Sequence, residues 1–376
     1  MNKPYSPHSV PVIGLRQSLR AWAWGLVLAG LMPLAVQAQS ATPAKTRPAK
    51  VSTQTGPLFA DSAVAMDWAD QAAQRLQIDR VWLQTQLGQA RRLPLVEKLV
   101  LPPSTPSAKN WTAYRARFVE PTRIQAGIRF WQNHRNALDM AEREYGVPSA
   151  LIVAIIGVET LYGQNTGNFR ILDALATLAF HFPSAHPRAA ARQAFFQSEL
   201  EQFLLLTSRS RADPLAIRGS YAGAIGLPQF MPSSWAKFAV DFDGDGRIDL
   251  FGSPQDAIGS VANYFKAFGW QSGMPTHYPV SLTPGQTNMD SLLAPDILPT
   301  FSVASFVGQG AALSSAALQH QGPLALIELL NGPDAPSYVA GTENFYAITR
   351  YNWSSYYAMA VIDLGQAVAR EMPSKP

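Results

Sequence analysis

No cysteine occurs among the 376 residues. Its absence excludes disulfides, zinc–thiolate centres, a cysteine nucleophile and lipid attachment through an N-terminal cysteine. Charge is sparse too, at 15% of residues against 47% hydrophobic, a balance that suits a globular chain and excludes a disordered one. Acidic residues are missing altogether from residues 1–60, which hold Lys3, Arg16, Arg20, Lys45, Arg47 and Lys50. Those six exceed the net charge of +4, so residues 61–376 carry a net −2. The basic character therefore belongs to the start of the chain. Nucleic acid is not expected as a partner, because that would need a basic patch on the folded part. No internal repeat is present.

The longest apolar stretch near the start, Ala21 to Val36, is short of the roughly 20 residues that span a bilayer. Arg16 and Arg20 precede it, and Val36-Gln37-Ala38 offers a small-residue cleavage site. Residues 1–38 read as a secretory signal. Export to the bacterial periplasm is the expected destination, where a chain without cysteine needs no oxidative folding. Residues 39–58, rich in Ala, Thr, Pro, Ser and Lys, read as a flexible linker. The remainder, 59–376, is expected to form one catalytic unit.

Helical spacing dominates that unit. Helices are expected over Ala60–Leu76, over Arg80–Leu93 with Pro94 as the stop, and over Pro121–Tyr145. Further ones are expected over 171–180, 192–207, 233–239, 256–268 and from Ser354 or Tyr356 to about Arg370. Met274 to Pro299 is rich in turn formers. Tyr338-Val339 and Phe345-Tyr346-Ala347-Ile348 read as short strands. The expected class is mainly α (α+β), with a small, partly β C-terminal portion.

The most informative run is Leu151 to Val158, almost wholly apolar, ending on Glu159. Its length favours a helix over a strand, and a helix apolar all round is a buried one. Pro148 and Ser149 suit its start and Gly163 its stop. A carboxylic acid in an apolar wall resists ionisation and donates a proton near neutral pH. A solvated or ion-paired Glu at a helix end is the competing reading of this run alone. Residues Gly219 to Ser233 supply the small and amide side chains that line a sugar groove. Together these features suggest protonation of a glycosidic oxygen. Ordinary glycosidases use two carboxylates, and Asp173 and Glu199 leave open whether a second one faces Glu159.

Asp241-Phe242-Asp243-Gly244-Asp245-Gly246-Arg247-Ile248-Asp249 fits the first nine positions of an EF-hand loop. Asp241, Asp243 and Asp245 take positions 1, 3 and 5, Gly246 makes the turn, Arg247 offers its carbonyl and Asp249 follows. Calcium is the expected cation, and no organic cofactor is expected. Position 12 is Gly252 where a bidentate Glu belongs, and Asp256 is the nearest later acid. An Asp/Gly-rich surface turn without metal is the alternative.

These stretches, together with 145–148, 170–178, 256–264 and 345–352, resemble the lytic murein transglycosylase B family of bacterial cell-wall enzymes, in order over most of residues 60–370. The resemblance implies a lysozyme-like helical core with an EF-hand-like loop at 241–256. It implies cleavage of peptidoglycan glycan strands between N-acetylmuramic acid and N-acetylglucosamine without water, leaving 1,6-anhydro ends. Glu159 is implied as acid and then base. Ser220, Gln229, Tyr264, Tyr351, Asn352, Tyr114 and Tyr357 are implied to line the groove, and Arg192 to meet the peptide stems, with Ala191 beside it where the family has a second arginine. A monomer, recruited to cell-wall enzyme complexes, is expected. A hydrolytic muramidase on the same fold and a non-catalytic, calcium-stabilised wall-binding protein are the competing functions.

Overall fold

The computed structural model describes residues 56–102 and 109–373. The expected signal segment, and residues 39–55 of the expected linker, lie outside the described residues. The linker's last three residues already belong to the body. Gly56 N donates to Arg92 O and Arg92 N donates to Pro57 O, at 2.9 and 3.1 Å.

Helices Ala63–Leu76, Arg80–Gly88 and Pro94–Leu99 pack with Ile171–Phe180 and Ala189–Ser210 around Phe59, Phe196 and Phe203. A second group comprises Pro121–Asn133, Arg135–Tyr145, Ser149–Thr160, Pro254–Ala267 and Ser355–Glu371. It encloses Ile152, Ile155, Phe265 and Phe345. The chain crosses between the two groups, and a short antiparallel pair, β1 (Phe169–Arg170) and β2 (Arg218–Gly219), brackets the helices Ile171–Phe180 and Ala189–Ser210.

The third part is an antiparallel sheet of β3 (His277–Leu282), β4 (Ala311–Leu313), β5 (Ala325–Asn331) and β6 (Asp334–Gly341), in the order β4-β3-β6-β5. In β3 the alternate residues Tyr278, Val280 and Leu282 face the small core of Leu292, Phe306 and Leu324, while Pro279 and Ser281 are exposed. That is the two-residue period of a strand with one buried face.

Four details differ from the sequence expectations. Pro94 opens a helix at its first position instead of ending one, where its missing N–H costs nothing. The stretch 121–145 breaks at His134 into two helices. Met274 to Pro299 contains β3 and the helix Met289–Leu293, masked by its prolines and glycines. Phe345 to Ile348 lies in the helix Glu343–Thr349, not a strand. Thr342 Oγ1 caps that helix by accepting from Asn344 N at 3.2 Å, and Phe345 and Ile348, three apart, both enter the main core. Capping and packing override β-propensity here.

The helix Ser149–Thr160 is the centre of the main group, buried from Leu151 to Gly157. It lies against Ser355–Glu371, closely enough that a Cβ at Gly365 would stand 2.7 Å from Ala150 O.

Candidate active site

Glu159 stands on the last turn of Ser149–Thr160. Straight after that turn, Leu161 and Tyr162 both take left-handed backbone, at φ 50° and 57°. This reverses the chain and leaves the acid at the rim of the buried helix. Thr160 Oγ1 donates to Leu227 O at 3.0 Å and accepts from Gly163 N at 3.0 Å. The helix end is thus tied to the loop that carries Gln229.

The Glu159 side chain is half-buried, reaching the surface at one edge while protein surrounds the carboxyl. Burial pushes its pKa up to about 7, and the hydrogen bond from Tyr357 pulls weakly the other way. Tyr357 Oη donates to Glu159 Oε1 at 2.5 Å. No cation and no second carboxylate contributes to the shift. The charge of Glu159 is instead felt by Tyr114, Tyr264, Tyr351 and Tyr357, each of whose phenols is raised first by burial. Tyr114 reaches about 12. A carboxyl among phenols, without a counter-ion, is held as a neutral proton donor close to neutral pH.

The two other acids raised by the sequence are committed elsewhere. Asp173 accepts from Arg91 N at 2.9 Å and pairs with Arg170 at 2.7 Å. Glu199, 2% exposed, accepts from Ser233 N and Oγ at 2.9 and 2.6 Å.

Of the residues expected to line the groove, Tyr114, Tyr264, Tyr351 and Tyr357 lie around Glu159. Tyr357 lies in the first turn of Ser355–Glu371, whose cap Ser354 accepts from Tyr357 N at 3.3 Å. Its ring stacks on Tyr351 at 6.4 Å, and Tyr351 meets Tyr264 at 4.8 Å. The hydroxyls of these last two are already used. Tyr351 donates to Pro228 O at 2.5 Å and Tyr264 to Arg350 O at 2.6 Å. Tyr264 is only 6% exposed, so it shapes the wall from behind. Tyr114 packs on Trp111, Phe118 and Tyr356.

Asn352 Oδ1 is buried without a partner among the described residues, an acceptor left unsatisfied. Ser220 Oγ accepts from Ala224 N at 2.9 Å, pinning a tight turn. Gln229 has left-handed backbone, φ 51°, and its amide donates to Gly226 O and Thr166 O at 2.9 and 3.2 Å. Arg192 lies with its guanidinium 5.2 Å from the Phe195 and Phe196 rings. Burial and then Arg188 lower its pKa, while Tyr221, next to Ser220, opposes them.

Sequence reasoning missed Tyr162. A Cβ on Gly157 or on Gly127 would stand 2.4 Å from the Tyr162 hydroxyl, so the ring fills a slot that two glycines leave open. The break at Gly157 in an otherwise apolar run was the available signal.

The acidic loop lies between the helices Pro232–Phe238 and Pro254–Ala267. Carboxylate oxygens of Asp241, Asp243 and Asp256 lie within 4.8 Å of one another. Asp256, 1% exposed, accepts from Phe242 N and Asp249 N, both at 2.7 Å. The carboxylates of Asp245 and Asp249 turn instead to backbone amides, of Arg247 and of Phe251 and Gly252. Three clustered hard oxygens fit a calcium ion by donor chemistry. Of the remaining expected ligands, Arg247 would offer only its carbonyl.

The chain is similar to known lytic transglycosylases. The family profile described as Transglycosylase SLT domain matches residues 61–366. The chain is 43% identical over 330 residues to the membrane-bound lytic murein transglycosylase B of Escherichia coli strain K12, covering 84% of this chain and 85% of that one. It is similar to the structure of the catenated lytic transglycosylase SltB1 from Pseudomonas aeruginosa, with a TM-score of 0.76 and 39% identity, covering 83% and 99% of the two chains. It also matches the Escherichia coli lytic transglycosylase Slt35 in complex with calcium, with a TM-score of 0.71 and 41% identity, covering 86% and 98%.

Proposed function

Because this chain belongs to the lytic murein transglycosylase B family of SLT-domain enzymes, we propose that Glu159 is the single acid and base of its lytic transglycosylase reaction on peptidoglycan. The observation that supports this is the Glu159 carboxyl itself, raised to about 7 by burial and hydrogen-bonded by the Tyr357 phenol, with no carboxylate or cation of the described residues among the causes of that rise.

In the proposed reaction neutral Glu159 donates its proton to the oxygen linking N-acetylmuramic acid to N-acetylglucosamine, and the bond from that oxygen to the muramoyl C1 breaks. The carboxylate so formed takes the proton of the muramoyl C6 hydroxyl. O6 closes on C1, and the strand ends in a 1,6-anhydro sugar. Every atom of the products comes from the substrate and no water enters. The internal nucleophile gains from proximity, worth about 7–11 kcal/mol of barrier in favourable cases. Ser220 and Gln229, fixed in their turns, orient the N-acetyl group that shields C1. Asn352 Oδ1 accepts from a sugar donor, and Tyr114, Tyr264 and Tyr351 hold the wall. Arg192 serves the acidic peptide stems.

Calcium at Asp241, Asp243 and Asp256 is part of the same proposal, supported by the complex of the similar Slt35 with calcium. It would neutralise three close carboxylates and brace the loop without touching the reaction. For location, the proposal is the periplasm, after cleavage behind Ala38, as a monomer available to cell-wall enzyme complexes. Among the described residues no helix is long and apolar enough to cross a membrane. N-terminal sequencing of the mature protein checks the cleavage site.

The test of the reaction is product mass. Sacculi digested in oxygen-18 water should yield anhydro ends without label, one water lighter than hydrolysis products. Labelled reducing muramic ends would make the enzyme a hydrolase.

A further inference from the structure

A helix leaves its last carbonyls without intrahelical partners, and a cation there also meets the negative end of the helix dipole. At the end of Ser149–Thr160 the carbonyl of Gly157, two residues before Glu159, accepts from Leu161 N at 3.1 Å and from Arg123 Nη1 at 2.5 Å. Arg123 comes from the neighbouring helix Pro121–Asn133. Its guanidinium carbon lies 5.3 Å from the centre of the Phe118 ring, and its side chain is 16% exposed. Glu120, 4.0 Å away, is already engaged by the amides of Thr122 and Arg123. The Gly157 carbonyl is therefore the close partner of this enclosed cation. The glycine itself offers no side chain to hold the turn, because the Tyr162 hydroxyl occupies the place of a Cβ.

We propose that Arg123 is a positioning residue for the reaction: by clamping the Gly157 carbonyl it fixes the last helical turn, and with it the place of the Glu159 carboxyl against Tyr357. This rests on Glu159 being the acid. A clamp of this kind has a distinct signature. Losing it costs turnover more than substrate binding, because a small displacement of a catalytic group is expensive. It also frees the carboxyl to reach water, which moves its pKa down.

The experiment compares Arg123→Met, which keeps the stem on Phe118, with Arg123→Lys and Tyr162→Phe, using purified sacculi and melts followed by circular dichroism. Expected for Arg123→Met is a cooperative melt and a kcat lower by roughly tenfold to a hundredfold. KM should stay within about twofold, and the alkaline limb of the pH profile should move to lower pH. Arg123→Lys should recover most of the kcat, and Tyr162→Phe should keep it, since that hydroxyl has no partner among the described residues. If Arg123→Met does not melt cooperatively, Arg123→Gln is judged on the same quantities. Wild-type kcat, a loss confined to KM, or an alkaline limb that stays put or moves up would each overturn the proposal. Retained activity in Glu159→Gln would overturn the functional reading itself, so the two failures are separable.

Discussion

The end of the acid-bearing helix and the loop 241–256 use carboxylates in opposite ways. Glu159 has one hydrogen-bond donor, a phenol, and otherwise tyrosines and apolar packing. The loop carries five aspartates, three of them clustered, and supplies backbone amides to each. Asp241 alone accepts from Gly244 N, Asp245 N and Gly246 N. Amides aimed at a carboxylate favour its ionised form, whereas a wall that offers none favours the neutral form. The same functional group thus suits the proposed proton donor in one place and the proposed cation site in the other. Its surroundings decide which.

The strongest way to break this contrast is to neutralise one carboxylate in each region. Glu159→Gln should lower kcat by about 10²–10⁴-fold, the usual contribution of a positioned acid–base. Asp243→Asn in the loop should leave kcat within a few-fold of wild type. Turnover measured on purified sacculi decides, and equal losses in both variants would mean that the loop takes part in the chemistry.

Stability against pH sharpens the same point. With its folded pKa near 7 and an unfolded value near 4.3, Glu159 binds its proton more tightly when folded. Its contribution is complete below the unfolded value and is lost as pH rises to about 7. Glu159→Gln should therefore match wild type near pH 4 and exceed it at pH 8, by at most about 4 kcal/mol at 1.36 kcal/mol per unit. Denaturant melts at the two pH values check this, and a variant that is less stable at pH 8 would contradict it. Activity, which needs the protonated form, should fall above about pH 7.

Calcium, as proposed, should act only on the other region. At a hundred times its dissociation constant a ligand of the folded state adds about 2.7 kcal/mol. The melting temperature should rise with calcium and fall with chelator, and Asp243→Asn should erase that dependence. Melts that ignore calcium in both proteins would leave the loop as a hydrogen-bonded turn.

The smallest effect concerns the hydrogen bond from Tyr357 to the acid. Tyr357→Phe removes a hydrogen bond that lowers the Glu159 pKa. The alkaline limb of the activity profile should move up, with a few-fold change in kcat, in line with a bond worth about 1 kcal/mol. A limb moving down would mean that Tyr357 chiefly excludes water.

Much of this was legible in the chain. A carboxylate closing an apolar run reads directly as an acid at the end of a buried helix, because helix length and burial follow from local composition. The acidic spacing from Asp241 onward was legible only in part: Asp241 and Asp243 cluster, but their third partner is Asp256 on the following helix, and Asp245 and Asp249 turn to backbone amides. The sequence left open whether Asp173 or Glu199 faces Glu159, and only packing could answer: the first is held by Arg91 and Arg170, the second by Ser233. The partners of the acid were beyond local reading in the same way. Tyr357 lies 198 residues from Glu159 along the chain, and Arg123 reaches Gly157 from another helix. The pKa of Glu159 and the place of its carboxyl are sums over neighbours from distant segments. The sequence by itself determined that an acid ends a buried helix, and the tertiary structure alone decided what surrounds it, because desolvation and hydrogen bonding depend on proximity in space and not on order along the chain.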